Sequence, residues 1–153
     1  MSQRIIYTIG TSNREPGEFI EVLQAYRIQL LADVRRFPSS RFDYFKKDNL
    51  DKLCRENQID YCWMGDQLGG YRKGGYDAFL QTETFLNGLS RLEALASSQT
   101  TAFCCAERFP WKCHRRFIAG VLQNKGWEVI HILDRNKTWK PEKLELFKND
   151  INQ

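Results

Sequence analysis

Apolar residues along this chain fall into two alternating rhythms. Five short runs, at residues 4–10, 29–34, 59–64, 101–106 and 128–133, are nearly continuous in apolar side chains instead of alternating strictly with polar ones. Such runs predict strands covered on both faces, as in a parallel sheet. Between them the apolar positions recur at helical spacing. Residues 16–26 carry Phe19, Ile20, Val22, Leu23 and Tyr26, with Pro16 suited to a first turn. Residues 47–57 bring Leu50, Leu53 and Cys54 to one face, and residues 84–97 repeat Phe85, Leu86, Leu89, Leu92 and Leu95. A last helix, 114–125, stops at Gly126, a residue suited to the left-handed turn that ends helices. Strands alternating with helices call for right-handed crossovers. The expected fold is therefore α/β, a three-layer sandwich around a Rossmann-like, mostly parallel sheet of about five strands.

Length changes this picture little: 153 residues suit one domain with a proper core. Residues 1–133 read as that α/β domain. Residues 134–153 read as a polar C-terminal extension with Trp139 and Phe147 as its few anchors, either forming a short helix over 142–150 or only partly ordered. No stretch approaches the roughly 18 apolar residues of a membrane span, and the N-terminus lacks a signal-peptide pattern. A cytoplasmic protein with no membrane partner is expected. Five cysteines, an odd set with Cys104 and Cys105 adjacent, make a poor disulfide framework and favour free thiols. A net charge of +4 is only mildly basic, so where the charge sits matters more than its sum.

In open parallel sheets ligands bind outside the carboxyl ends of the strands, where loops share a crevice and helix N-termini face it. The first such end delivers Ser12, Asn13 and Arg14, and the second Asp33, Arg35, Arg36, Ser39, Ser40 and Arg41. The third delivers Asp66, Gln67, Gly69, Gly70, Tyr71 and Arg72. The fourth, TAFCCAERFPWKCHRR at 101–116, packs Cys105, Glu107, Arg108, Cys113, His114, Arg115 and Arg116 into one loop. Guanidinium forks suit phosphate oxygens, so the seven arginines at 35, 36, 41, 72, 108, 115 and 116 point to a polyanionic ligand. The competing reading is a set of charged, solvated loops. Aromatic residues interleave with the arginines. Tyr71 and Trp111, flanked by charge and glycine, suit base stacking at about 1–3 kcal/mol per base, whereas Phe42 and Phe45 read as core caps.

The glycine-rich run at 65–76, GDQLGGYRKGGY, matches neither a P-loop nor a dinucleotide fingerprint. The spacing Cys105-x7-Cys113-His114 matches no common zinc pair. Neither a cofactor nor a metal is expected. Cys105 reads either as a thiolate nucleophile, at a strand end near arginines, or as a buried strand cysteine. It lacks the arginine six residues on that a phosphatase-type cradle needs, since Trp111 stands there. Cys104 suits core packing, and His114 suits a cap or a proton carrier at the helix start.

Four ordered segments, YTIGTSN at 7–13, ADVRRFPSSR at 32–41, LGG at 68–70 and CAERFPWKCHRR at 105–116, resemble the domain of unknown function 488 family. The resemblance runs over about residues 5–133. It implies a compact α/β fold and a site drawn from Ser12, Asp33, Arg35, Pro38, Ser40, Arg41, Cys105, Glu107, Pro110, Cys113, His114 and Arg115. Thr11 stands where such proteins commonly carry histidine, which argues against an essential imidazole there.

The leading expectation is an enzyme of DNA repair or base processing, a hydrolase acting on nucleic acid or nucleotides. Hydrolysis of an N-glycosidic bond needs a carboxylate near a developing oxocarbenium ion, and Glu107, Asp33 and Asp66 can supply one. Ser12, Arg35, Arg36, Ser40, Arg41, Tyr71, Arg72, Arg108, Trp111, Arg115 and Arg116 would hold phosphates and bases, with Cys105 and His114 as further catalytic groups. The partner would be nucleic acid or a phosphorylated small molecule. Two alternatives stand beside this: a thiol-dependent transferase or phosphatase-like enzyme using Cys105, and a non-catalytic nucleic-acid-binding module whose affinity falls steeply with salt.

Overall fold

A computed structural model describes residues 4–37 and 42–140. The chain runs β1 (Ile5–Gly10), α1 (Pro16–Ala25), β2 (Leu30–Asp33), a 3-10 turn (Asp43–Phe45), α2 (Lys47–Glu56) and β3 (Asp60–Trp63). Two one-turn helices follow, α3 (Gly65–Leu68) and α4 (Tyr76–Phe79), then α5 (Glu83–Ser98) and β4 (Thr101–Cys105). A second 3-10 turn (Pro110–Lys112) leads into α6 (Arg115–Asn124), β5 (Glu128–Asp134) and β6 (Lys137–Trp139). Local chemistry sets the helix ends. A reciprocal Glu15/Glu18 capping box and Pro16 open α1, and the Thr82 hydroxyl accepts the Phe85 N–H to open α5. Gly126, at φ 97°, ends the turn after α6.

The sheet has the order β3-β2-β4-β1-β5-β6 and is parallel except for β6. Among the described residues it has six strands where the apolar runs predict about five. β6 escapes that reading because it is three exposed residues, Lys137, Thr138 and Trp139, folded back on β5 by a tight turn. It lies in the segment expected to be a polar extension; the alternative of a helix over 142–150 falls outside the described residues.

Successive strand residues point to opposite faces, and two cores result. Ile6, Phe103 and Val129 pack with Phe85, Leu89, Ile118 and Leu122 of α5 and α6. Ile9, Ala102, Cys104 and Ile132 pack with Phe19, Leu23, Leu50 and Cys54 of α1 and α2. The protein is thus a Rossmann-like three-layer sandwich. Burying a side chain such as Phe19 or Phe85, both wholly covered, contributes about 1.5–3 kcal/mol.

This topology positions the site. β4 lies between β2 and β1, whose following helices pack on one face, while α6, which follows β4, packs on the other. Loops leaving adjacent strand ends in opposite directions open a crevice there.

Candidate active site

The floor of the crevice is an extension of the β1–β4 pairing past the strands. Thr11 and Ser12 donate their N–H groups to the Cys105 and Ala106 carbonyls, each at 2.8 Å. The two chains approach so closely that a Cβ on Gly10 would stand 1.8 Å from the Glu107 carbonyl oxygen. Glycine is required at that position.

The loop after β4 is held from within by Arg115, the first residue of α6 and wholly buried. Its Nη2 donates to the Glu107 and Arg108 carbonyls at 2.7 and 3.1 Å, and its Nη1 donates to Thr8 Oγ1 at 2.9 Å. Because Thr8 accepts from arginine, its own hydrogen is free for His131 Nδ1, 2.6 Å away. His131 is the neutral imidazole. Burial first, and Arg115 second, push its pKa down to about 3.

The remaining donors of Arg115 meet sulfur. Its Nε and its backbone N–H both lie 3.3 Å from Cys113 Sγ, at the N-terminus of α6. Cys105 Sγ, at the end of β4, lies 2.8 Å from the same sulfur. The two thiols differ sharply. The hydrogen bond from Cys105, reinforced by Arg115, pulls Cys113 down to about 6. Burial holds Cys105 well above the usual thiol range. At neutral pH the pair is a Cys113 thiolate beside a Cys105 thiol.

A cleft of about 540 Å³ opens over this pair, with Cys105, Ala106, Glu107, Lys112, Cys113 and His114 on one side of its lining. Arg35, Arg36, Phe37, Gly70, Tyr71 and Tyr76 complete it. His114 Nε2 is 3.0 Å from the Val34 carbonyl, an acceptor only, so the proton sits on Nε2 and Nδ1 keeps its lone pair. Burial lowers the pKa of this imidazole, which favours the neutral form. Gly70 leaves room for it: a Cβ there would stand 3.1 Å from Nδ1. Arg36 donates to the Tyr71 carbonyl at 2.5 Å. Tyr71 is 86% exposed and has a left-handed backbone, φ 58°, that costs a non-glycine residue energy. Its ring lies 6.1 Å from that of Phe37.

Of the residues expected from sequence, Arg35, Arg36, Tyr71, Cys105, Glu107 and His114 line this one cleft. Asp33 sits beneath it, wholly buried, taking Arg35 Nε and Nη2 at 2.8 Å each and the Tyr61 hydroxyl at 2.5 Å. Among the described residues, Arg35 Nη1 is buried without an acceptor. Asp66 and Ser12 do not line the cleft. Arg72 turns inward to the Gly65, Asp66 and Gly69 carbonyls and lies over the Phe79 ring. Arg108 reaches towards the Leu133 carbonyl, and Arg116 donates to the Trp111 carbonyl. Trp111 stacks on Phe109 and meets Trp139 edge-on, away from the cleft lining. Ser40 and Arg41 lie outside the described residues, as does Pro38. Sequence reasoning gave Cys113 a place among the site residues that the family resemblance implies, and weighed it chemically as a metal ligand. Its position just before a predicted helix, where amide dipoles lower a thiol pKa, was the signal for more. Among the described residues, no three His, Cys, Asp or Glu side chains gather as metal ligands would, and no helix is long and apolar enough to cross a membrane.

An α/β sandwich with a two-cysteine cleft at the carboxyl ends of its strands is the class these observations define. The profile described as Domain of unknown function DUF488 matches residues 15–122, and the chain belongs to that family. No curated protein and no solved structure matches it.

Proposed function

We propose that the cleft is the active site of an enzyme acting on a nucleotide or another phosphorylated small molecule, with the Cys113 thiolate as nucleophile. The observation that carries this reading is the set of donors around Cys113 Sγ: the Cys105 thiol at 2.8 Å and two N–H groups of Arg115 at 3.3 Å. A thiol so held is ionised at neutral pH, and the thiolate is the reactive form. Arg36 and Lys112 supply positive charge for an anion, and Phe37 and Tyr71 supply ring faces. Cys113 would attack the electrophilic centre and expel the leaving group. His114 Nδ1 would then take the proton of the water that releases the adduct.

A second reading keeps the same cleft and moves the chemistry to Glu107, the one of the three carboxylates singled out from sequence that lines it. Hydrolysis of an N-glycosidic bond, as in DNA repair, would use this carboxylate against the developing positive charge, with the base held by Tyr71 and Phe37. One experiment separates the two. Nucleotides and oligonucleotides carrying damaged bases are incubated with the parent protein, Cys113→Ser and Glu107→Gln. Product from the parent and E107Q but not C113S supports the thiolate mechanism. Product from the parent and C113S but not E107Q overturns it in favour of glycosidic hydrolysis. Binding without product, weakening steeply with salt, would point to a binding module instead.

A further inference from the structure

We infer that Cys105 and Cys113 form a dithiol couple that reduces small, carboxylate-bearing disulfides and closes to an internal disulfide in doing so. The inference shares the Cys113 thiolate with the function proposed above but needs neither a phosphorylated substrate nor His114. It rests on the separation of the two sulfurs. At 2.8 Å they stand less than an ångström outside the roughly 2.05 Å of a disulfide bond. Cys105 ends β4 and Cys113 stands two residues before the first residue of α6, with seven residues between the two cysteines. Both line the cleft, so an incoming disulfide meets the pair and not a single sulfur.

The environments assign the order of events. Cys113 is partly exposed and carries the Arg115 donors, whereas Cys105 is 2% exposed. Cys113 is the attacking sulfur and Cys105 the resolving one. The Cys113 thiolate attacks one sulfur of RS–SR′, forming a Cys113–S–S–R bond and expelling R′S⁻. Cys105 then gives up its proton and attacks the Cys113 sulfur. The Cys105–Cys113 bond forms, the S–R bond breaks, and RS⁻ departs with that proton as RSH. The substrate gains the two electrons that the dithiol loses. Arg36 and Lys112 at the cleft favour a disulfide whose ends carry carboxylates. The other cysteines are poorly placed to compete: Cys54 and Cys104 are buried in the core on the α1 and α2 side, and Cys62 lies under Arg91.

Glutathione disulfide serves as the probe, added to the parent protein, Cys105→Ser and Cys113→Ser, with circular dichroism confirming that each variant is folded. Trypsin cuts after Arg108 and Lys112, so it separates the two cysteines unless they are bonded. The parent is expected to lose two alkylatable thiols and to yield a cross-linked peptide joining Cys105 to Cys113. C105S is expected to stop at a stable glutathionyl adduct on Cys113, and C113S to give neither product. A parent that keeps the adduct on Cys113 without linking to Cys105, or that does not react, overturns the inference. Iodoacetamide labelling of the parent at neutral pH tells the two failures apart. If Cys113 is alkylated but no cross-link forms, only the dithiol couple falls; if Cys113 resists alkylation, the nucleophile proposed above falls with it.

Discussion

Arg115 and Asp33 are charged residues that the fold uses inward. Asp33 accepts from Arg35 and Tyr61 and is wholly shielded from water, so losing either side of that arrangement leaves a buried charge uncompensated. Asp33→Ala is expected to lower the unfolding free energy by about 3–5 kcal/mol, read from the denaturant midpoint. Tyr61→Phe removes one hydrogen bond and should cost about 1–3 kcal/mol. Arg115 differs because its contacts reach a reactive atom. Its aim at Cys113 is fixed by Thr8, which is in turn fixed by His131. Thr8→Val is expected to raise the Cys113 pKa from about 6 towards the ordinary thiol range, followed by the ultraviolet absorbance of the thiolate. Thr8→Ser keeps the hydroxyl and should leave it low; equal titrations in all three proteins would show that Thr8 only packs.

At the scale of elements, periodicity made most of the fold legible. Continuous apolar runs and helical spacing located β1 to β5 and the four longer helices to within a residue or two, because each must cover one of the two cores. The turns α3 and α4 and the strand β6 are too short to carry a period. The site was legible in outline only. Sequence can place an arginine in a loop, but not say whether its fork faces solvent or a carbonyl, and Arg72 and Arg115 face carbonyls. Nor does a spacing of eight residues reveal two sulfurs in contact; that needs the 3-10 turn at Pro110–Lys112 to fold the loop back. Gly10 tests how tightly strand and loop are joined. Gly10→Ala forces β1 and the Glu107 carbonyl apart, and is expected to cost at least about 1–3 kcal/mol by denaturation. It should also slow Cys113 alkylation at pH 7, since the Glu107 carbonyl that it displaces anchors Arg115, a donor to Cys113. Retention of both stability and alkylation rate would contradict the close approach.

For the whole molecule, the shifted groups set a dependence of stability on pH. Cys113 titrates near 6 when folded and near 9 when unfolded, so between these values the unfolded chain binds the extra proton. Its contribution is complete above pH 9 and is lost as pH falls through 6, at up to about 1.4 kcal/mol per pH unit. His131 acts in a lower window. Its folded value near 3 lies below the ordinary 6.5, so stability present above pH 6.5 is lost as pH falls towards 3. Urea denaturation under reducing conditions should therefore show stability declining in two stages from pH 9 downward. In Cys113→Ser the upper stage should vanish and the lower one remain. A flat profile between pH 6 and 9 in the parent would rule out a depressed Cys113.

Arg115 grips the Glu107 and Arg108 backbone carbonyls, a hold that does not depend on what side chain stands at 107. Scaffold and reactivity are thereby separated along the same few residues. The main chain keeps the thiolate in place, while position 107, which lines the cleft, is free under the thiolate mechanism to change what the cleft attracts. A library randomised at position 107 should stay folded and keep a reactive Cys113 while its ligand preference spreads, making this loop a place where new specificities can arise without rebuilding the protein.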